Sequence, residues 1–390
     1  MLKRFVLFFI HFFSSYALAC ILFILLLILT FIGTLAQVDH GIYDVQHKYF
    51  NSIFLVHHFF GKIPVPMPGG GVLLVILFLN LICGGIVRIG KHWSNLGLFI
   101  VHAGMGFMLI SAFVTHFYMV DGHMTLYEDE RSDAFVSYFD WELVIMEPLA
   151  DGRTKEYIVP VSQFAVGAVE GGVDIFKDDL PMDIHVSNFQ RNCSVLAKGP
   201  MFDVKVPVID GYFLNALPPA KEAEQNAPGA YLSLVTKRSS ERHEGMIWGF
   251  QRYPWIVEID GRQLGFHLRK EQHVIPFTIV LDKFTRELHP GTSIPKVFMS
   301  DVTKIENGVS RSINVSMNEP LRHKGYTFFQ SGWGPANARP GDPLFSTFSV
   351  VKNPADKYPL YACIVIGTGL FVHFTLKLIR YIQFQNRRVS

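Results

Sequence analysis

The stretch Asn95 to Val120, NLGLFIVHAGMGFMLISAFVTHFYMV, is long enough to cross a bilayer as a helix. It carries His102 inside its apolar run, followed by Ala103 and Gly104 and close to Gly106. An ionisable side chain in hydrocarbon costs free energy, so by default it indicates a functional site. Small residues beside it allow another helix or a flat cofactor to approach closely. The stretch therefore predicts a membrane-embedded site centred on His102.

The composition indicates a few membrane spans joined to one large aqueous domain. The chain has 390 residues, 49% of them hydrophobic, and its net charge of +2 argues against a nucleic-acid partner. A mean hydropathy of +0.26 lies between the values of soluble and wholly membrane-embedded chains. Cys20, Cys83 and Cys363 lie in apolar runs, which leaves Cys193 alone in the aqueous part. An internal disulfide is not expected there, and the absence of CxxC argues against covalent haem attachment and thioredoxin-type chemistry.

Four apolar runs predict four transmembrane helices. Residues 1–36 hold the first, whose apolar run is too long for a signal peptide. Residues 37–71 are amphipathic and predict an outer interfacial helix that ends in a Pro- and Gly-rich break. Residues 72–118 contain the second and third spans, and residues 358–390 the fourth with a basic tail.

Positive charge predicts the orientation of these spans. Basic residues flank the N-terminus, the short turn at residues 88–92 and the C-terminus. Four spans place all three on one side, which the positive-inside rule makes cytoplasmic. We therefore expect an inner-membrane, multi-pass protein with both termini cytoplasmic and residues 119–357 on the periplasmic or extracytoplasmic side.

The domain at residues 119–357 is predicted to be β-rich. Asp151-Gly152, Asp260-Gly261 and Asn307-Gly308 lie between runs of β-branched and aromatic residues and are typical hairpin turns. Residues 180–189 (LPMDIHVSNF) and 275–284 (IPFTIVLDKF) form a weak internal repeat. The repeat predicts two similar β-lobes, separated by the loop at residues 217–229. No catalytic signature is recognised in this domain.

Two histidines stand at similar predicted depths. His102 lies about six residues, or ~9 Å, from the cytoplasmic end of its span, and His373 lies about six residues from that end of the fourth. Neutral imidazoles on neighbouring helices can serve as axial ligands of a non-covalent haem b. The alternative is that one histidine hydrogen-bonds a carbonyl or Asn80 and merely fixes helix packing. His373 could also simply reach the interface.

Other histidines cluster near the outer membrane surface. They are His40, His47, His57, His58 and His116. They could form a second haem or metal station, although interfacial helices commonly carry such residues without any ligand role.

Several motifs resemble the ResB family of cytochrome c biogenesis proteins. They are GTLAQ (Gly33–Gln37), LGLFIVHAGMGFMLISA (Leu96–Ala112), DGHMTLYEDE (Asp121–Glu130), FMSDV (Phe298–Val302) and MNEPLRHKGYTFFQSGW (Met317–Trp333). The order of three spans, a large outer domain and one final span also matches the family. One departure is Asp129, where relatives often have glycine.

The resemblance implies a function in haem delivery. Members of the family work with a CcsA-type membrane partner to present haem to apocytochrome c, and a histidine in the HxG setting of the third span, here His102, is a haem ligand. The partner supplies the tryptophan-rich haem-presenting motif, so this chain is expected to be at most half of a ligating enzyme. His373 is not carried over from the family, and the second ligand could come from the partner. Gly104 and Gly106, with Ala103, are expected to make room for the porphyrin.

Two other classes remain open: a membrane b-type cytochrome that transfers electrons, and a cofactor-free membrane scaffold in which His102 is structural. The first usually has two histidines per helix at a spacing that stacks two haems, whereas each helix here has one well-placed histidine. The second would retain no haem on purification. The sequence leaves open the haem stoichiometry, the direction of haem movement, the target cytochrome and any role of Cys193.

Overall fold

A computed structural model describes residues 2–59, 61–200, 203–292, 295–335 and 342–389. Residue contacts divide the chain into two units. One, the helical unit, contains residues 1–119 and 353–390, and the other, the β unit, contains residues 120–352. The predicted domain boundaries at residues 119 and 357 stay a prediction.

The helical unit contains apolar helices joined by short connections. Its elements are α1 (Leu2–Phe13), α2 (Tyr16–Val45) with a π-helical extension (Gln46–Asn51), a hairpin of β1 (Phe54–Phe59) and β2 (Ile63–Pro68), α3 (Gly70–Asn80) with a π-helical extension (Leu81–Val87), α4 (Leu96–Tyr118) and the C-terminal helix (Tyr358–Val389), which is α6. Within the described residues, four helical segments are long and apolar enough to cross a membrane: Tyr16–Asn51, Gly70–Val87, Trp93–Tyr118 and Tyr358–Arg388. This agrees with the four predicted spans.

The first apolar run is not one continuous helix. It breaks at Ser14 and Ser15, and Ser15 has an extended backbone (φ −73°, ψ 131°). Ser14 is buried, and its hydroxyl donates to the His11 carbonyl at 3.2 Å. Serine side chains compete with the helix for backbone partners, which favours such a break. The continuous hydropathy of this run did not predict it.

The segment at residues 37–71 is only partly helical. α2 is kinked at Gly41 (φ 71°, ψ 165°), and its helix with the π-helical extension ends at Asn51. Residues 54–68 then form the antiparallel hairpin of β1 and β2, which was not predicted. β2 has the sequence IPVPMP, in which proline alternates with apolar residues. Proline has no N–H to donate, so this strand is confined to an edge. The apolar alternation of β2 places Met67 in a buried cluster with Leu55.

The β unit is built almost wholly from antiparallel strands. Its elements are β3 (Val120–Tyr127), β4 (Arg131–Pro148), β5 (Thr154–Pro160), α5 (Ala165–Glu170), β6 (Val173–Ile175), β7 (Met182–Gln190), β8 (Cys193–Ala197), β9 (Tyr212–Ala216), β10 (Gly229–Thr236), β11 (Arg242–Trp248), β12 (Trp255–Ile259), β13 (Arg262–Leu288), β14 (Pro295–Glu306), β15 (Val309–Ser316), β16 (Leu321–His323), β17 (Tyr326–Gly334) and β18 (Phe345–Lys352).

The described strands form one large sheet and smaller ones. The large sheet has the order β15-β14-β13-β4-β3-β18-β17-β16, with β12 paired to β13 and β5 to β4. A second sheet has the order β11-β10-β7-β6, and β8 pairs with β9. The prediction of a β-rich domain is confirmed.

The predicted hairpin turns are present. Asp260 and Gly261 both have positive φ (52° and 73°) and join β12 to β13, and Asn307 and Gly308 (49° and 77°) join β14 to β15. Positive φ at both central residues is the requirement of a type I′ turn. The turn of Asp151-Gly152 joins β4 to β5.

Asp129 also has positive φ (68°), in the turn between β3 and β4. Aspartate tolerates this conformation better than most residues, so it fits this turn.

Two large hydrophobic clusters fill the β unit. One lies between the sheet of β7 and β10 and the first part of β13, and the other is lined by the second part of β13 with β14, β17 and β18. The two repeat segments bury equivalent positions in different clusters: Leu180, Met182, Ile184, Val186 and Phe189 in one, and Ile275, Phe277, Ile279, Leu281 and Phe284 in or beside the other. The equivalent burial fits the predicted repeat, and the number of lobes stays a prediction.

Candidate functional site

His102 lies on α4, half-buried, at the wall of a cavity of about 610 Å³. Its Nδ1 lies 2.7 Å from the carbonyl oxygen of Leu98, one turn earlier on the same helix. A carbonyl can only accept a hydrogen bond, so Nδ1 carries the proton and Nε2 of the neutral ring keeps its lone pair. A histidine ligand usually has its other ring nitrogen fixed in this way.

The position of the His102 ring depends on Gly85 in the π-helical extension of α3. A methyl group built on Gly85 would overlap Cδ2 and Cγ of the imidazole. Only glycine therefore lets the ring lie flat against this helix. The π-helical turn at Leu81–Val87 is itself of a kind that occurs often at functional sites.

The cavity beside His102 is lined by segments from four helices and is open on one side. Apolar walls come from side chains such as Phe23 on α2, Leu77 on α3, and Met105 and Leu109 on α4. Its volume falls in the range of pockets that hold small molecules and cofactors. Ser14, Ser15 and Asn80 supply the polar part of the lining.

The helix break at Ser14 and Ser15 forms one wall of this cavity. Asn80 Nδ2 donates to the carbonyls of Phe13 (2.6 Å) and Ser15 (3.0 Å), and Arg88 Nη1 donates to the Ser14 carbonyl (3.2 Å) and hydroxyl (3.3 Å). The Phe13 and Ser14 carbonyls at the end of α1 gain side-chain partners in this way, and the Ser15 carbonyl also accepts from the Ala19 N–H at 3.3 Å. Asn80 therefore bonds to this break, and the model shows no bond from it to His102 among the described contacts.

Close packing between α4 and α6 uses glycines. A methyl group on Gly97 would overlap the backbone of His373, and one on Gly104 would meet Ile366 at 2.7 Å. A methyl group on Gly369 of α6 would likewise lie 2.7 Å from the backbone nitrogen of Val101 on α4. Small residues at such positions allow membrane helices to approach closely. Gly104 thus lies at a helix contact, whereas the neighbours nearest to Gly106 are Leu81 and Phe78 at 3.8 Å.

His373 lies level with Gly97, five residues before His102 on α4. The two histidines are therefore offset by ~7.5 Å along the helices rather than level. Among the described residues, His373 does not line the cavity that contains His102. Its Nδ1 is buried without a hydrogen-bond partner among the described groups. A ligand role for His373, like the roles of Gly104 and Gly106, stays a prediction.

The outer histidines are dispersed. His57 bonds to the Tyr49 hydroxyl at 2.8 Å, and His116 lines a separate cavity of about 400 Å³. His40, His47 and His58 are exposed. Within the part of the chain that the structure describes, no three His, Cys, Asp or Glu side chains form a metal-binding group. A second station at these residues stays a prediction.

The resemblance motifs of the β unit meet in a buried polar network. The Ser300 hydroxyl lies 2.6 Å from Gln330 Oε1 and 2.9 Å from the Ser346 hydroxyl, and Gln330 Nε2 donates to Ser346 at 2.9 Å. Ser300 and Ser346 are fully buried. A satisfied buried network fixes the relative position of its strands. FMSDV and FFQSGW, which contain Ser300 and Gln330, are thus joined by their side chains.

The sequence did not predict a group of ionisable residues where β3, β4 and β13 meet. Burial lowers the pKa of Lys270 to about 8, and its Nζ donates to the Tyr138 carbonyl. Burial also lowers the pKa of His123, whose ring stacks on Tyr138, and raises the pKa of Asp121. No local motif marks these residues, because the bulged register of two long strands brings them together.

Four long apolar helices and a β-rich domain are typical of a multi-pass membrane protein, and His102 lines a cavity among these helices. The model of the ResB-like family matches residues 211–342, and this match confirms the resemblance to the ResB family. No curated protein matches the chain. The match to this part of the chain is consistent with a role in cytochrome c biogenesis.

Proposed function

We propose that this protein binds haem at His102 and delivers it for the maturation of c-type cytochromes, together with a CcsA-type membrane partner. The observation that carries the proposal is the hydrogen bond from His102 Nδ1 to the Leu98 carbonyl at the wall of a largely apolar cavity, because this bond puts the lone pair of a neutral imidazole on Nε2. The ResB-like match supports the same pathway.

The residues present fit a haem. Neutral imidazole is a usual axial ligand of haem iron, and a second-shell hydrogen bond of this type raises its basicity. Phe23, Leu77 and Leu109 offer apolar contacts to a macrocycle. Haem is the cargo here, and its iron supplies the site to which an imidazole nitrogen binds. His102 would hold the cargo until transfer, and His373 or a residue of the partner would supply a second ligand.

The large domain is proposed to lie on the outer side of the inner membrane, with both termini inside, because basic residues flank the inner ends of the spans. On that side it would dock the partner and apocytochrome c. Covalent attachment of haem would use the partner's site, because this chain offers no recognised catalytic group.

A maturation assay tests the proposal. A bacterial host without its own c-type maturation system would express this chain, a CcsA-type partner and a reporter apocytochrome c with one CxxCH motif. Covalent haem on the reporter is measured by haem staining after denaturing electrophoresis. We expect His102→Ala to abolish the stain at unchanged protein level, while the control His40→Ala, at an exposed position, keeps it. Equal maturation with His102→Ala would refute the proposed role of this histidine.

A further inference from the structure

Arg88 lies at one end of the His102 cavity without a carboxylate partner among the described residues. Its contacts are the two bonds from Nη1 to Ser14, at 3.2 and 3.3 Å, both to neutral oxygens. The side chain is exposed, so the other guanidinium N–H groups remain free to bind an anion. A carboxylate or phosphate would satisfy this charge bidentately.

Arg88 continues a row of residues that borders the cavity. Asn80, Gly84 and Arg88 are spaced four residues apart, and this spacing puts them on one side of the helix. Asn80 and Gly84 line the cavity, and Arg88 follows Gly84 by one turn, at the end of the π-helical extension. Ser14, which Arg88 contacts, lines the cavity as well. The guanidinium group therefore stands at the cavity's edge, beside the turn at residues 88–92.

The cavity thus combines an apolar interior, an imidazole that can bind a metal, and a cation at one edge. This combination suits a flat apolar ligand with a metal at its centre and carboxylates on one side. We infer that Arg88 binds the carboxylates of the porphyrin held at His102 and orients it with those carboxylates toward residues 88–92. The inference rests on the proposed function and adds to it the orientation of the cargo and the residue that sets it.

A comparison of two porphyrins tests the inference. The full chain in detergent is titrated with haem b and with haem b dimethyl ester, in which both carboxylates are blocked, and the dissociation constants are taken from the absorbance change. The variants are Arg88→Gln, which keeps a donor for Ser14 but loses the charge, and Arg88→Lys, which keeps the charge. The control is Arg380→Gln, which removes one positive charge at an exposed position on α6.

We expect wild type to bind haem more tightly than its ester. Arg88→Gln is expected to reduce this preference by about tenfold, as for loss of one charged hydrogen-bonded contact. Ester binding should stay unchanged, which shows that the cavity remains folded. Arg88→Lys should keep most of the preference and Arg380→Gln all of it.

Two results would overturn the inference. One is an equal preference in wild type and Arg88→Gln. The other is equal binding of haem b and its dimethyl ester by the wild type. That result refutes the inference even if a variant fails to fold. If Arg88→Gln loses co-purified anionic phospholipid but keeps the preference, Arg88 binds a lipid headgroup and the inference is wrong. Failure of wild type to bind either porphyrin would instead refute the proposed function itself.

Discussion

Replacing Arg269 by methionine should destabilise the β unit more than any surface change. Arg269 Nε donates to Glu142 Oε1 at 2.8 Å, and its Nη groups contact both carboxylate oxygens of Glu156 at 2.7 and 3.1 Å. The Glu142 side chain is only 3% exposed, against 35% for Glu156. In Arg269→Met, Glu156 can turn toward water, but Glu142 is left as a buried charge without its partner.

The expected loss of stability in Arg269→Met follows from the burial of Glu142. Removing one partner of a buried ion pair costs about 3–5 kcal/mol, mainly because the remaining charge stays desolvated. For a domain of this size, each kcal/mol lowers the melting temperature by roughly 2–4 °C. Arg269→Met should therefore lower the melting temperature by about 6–20 °C. Adding Glu142→Leu should restore most of the loss, because a buried pair replaced by apolar residues is often neutral.

Thermal unfolding of the full chain in detergent, followed by tryptophan fluorescence, measures the effect. Four of the five tryptophans, at positions 141, 248, 255 and 333, report on the β unit. The control is Arg153→Met, which removes an exposed pair with Asp151 and should leave the melting temperature nearly unchanged. Equal shifts for Arg269→Met and Arg153→Met, or no recovery with Glu142→Leu, would refute the reasoning.

Other perturbations have equally definite outcomes. Gly85→Ala should weaken haem binding about tenfold, because its methyl group overlaps the histidine ring, whereas Gly106→Ala should leave the absorbance titration nearly unchanged. Cys193 is buried, and burial raises its pKa to about 12. Iodoacetamide at about pH 8 should therefore not label it in the native protein. Detection of this label by mass spectrometry would contradict the prediction. Hydrogen bonds, first from Lys324, lower the pKa of Glu306 to about 2 from its ordinary 4.5. Its contribution to stability is therefore full above about pH 4.5 and is lost as the pH falls toward about 2. Glu306→Gln should flatten the decline of melting temperature over that range, and an unaltered decline would contradict the assignment.

Local patterns predicted much of this fold. The four spans were visible because about 20 apolar residues suffice to cross a bilayer. Asp260-Gly261 and Asn307-Gly308 were identifiable because few residue pairs adopt positive φ twice in succession. His102 was recognisable because an ionisable residue in an apolar run is costly.

The missed features depend on partners distant in sequence. The break at Ser14 is bridged by Asn80 and Arg88, more than sixty residues away, and hydropathy alone does not register it. Glu142 and Arg269 are 127 residues apart and become partners only through the register of β4 with β13. The offset of His373 from His102 arises because Gly97 and Gly369 set the level at which α4 and α6 pack.

The reduced-minus-oxidised absorption spectrum of the full chain, purified in detergent with and without a CcsA-type partner, tests haem binding at His102 most directly. The wild type should show a b-type haem signal that His102→Ala abolishes and the exposed control His40→Ala preserves. Parallel loss in His373→Ala would place both ligands in this chain, and a signal that requires the partner would place the second ligand there. Absence of haem from every preparation, or an unchanged signal in His102→Ala, would contradict the proposal and favour a cofactor-free scaffold.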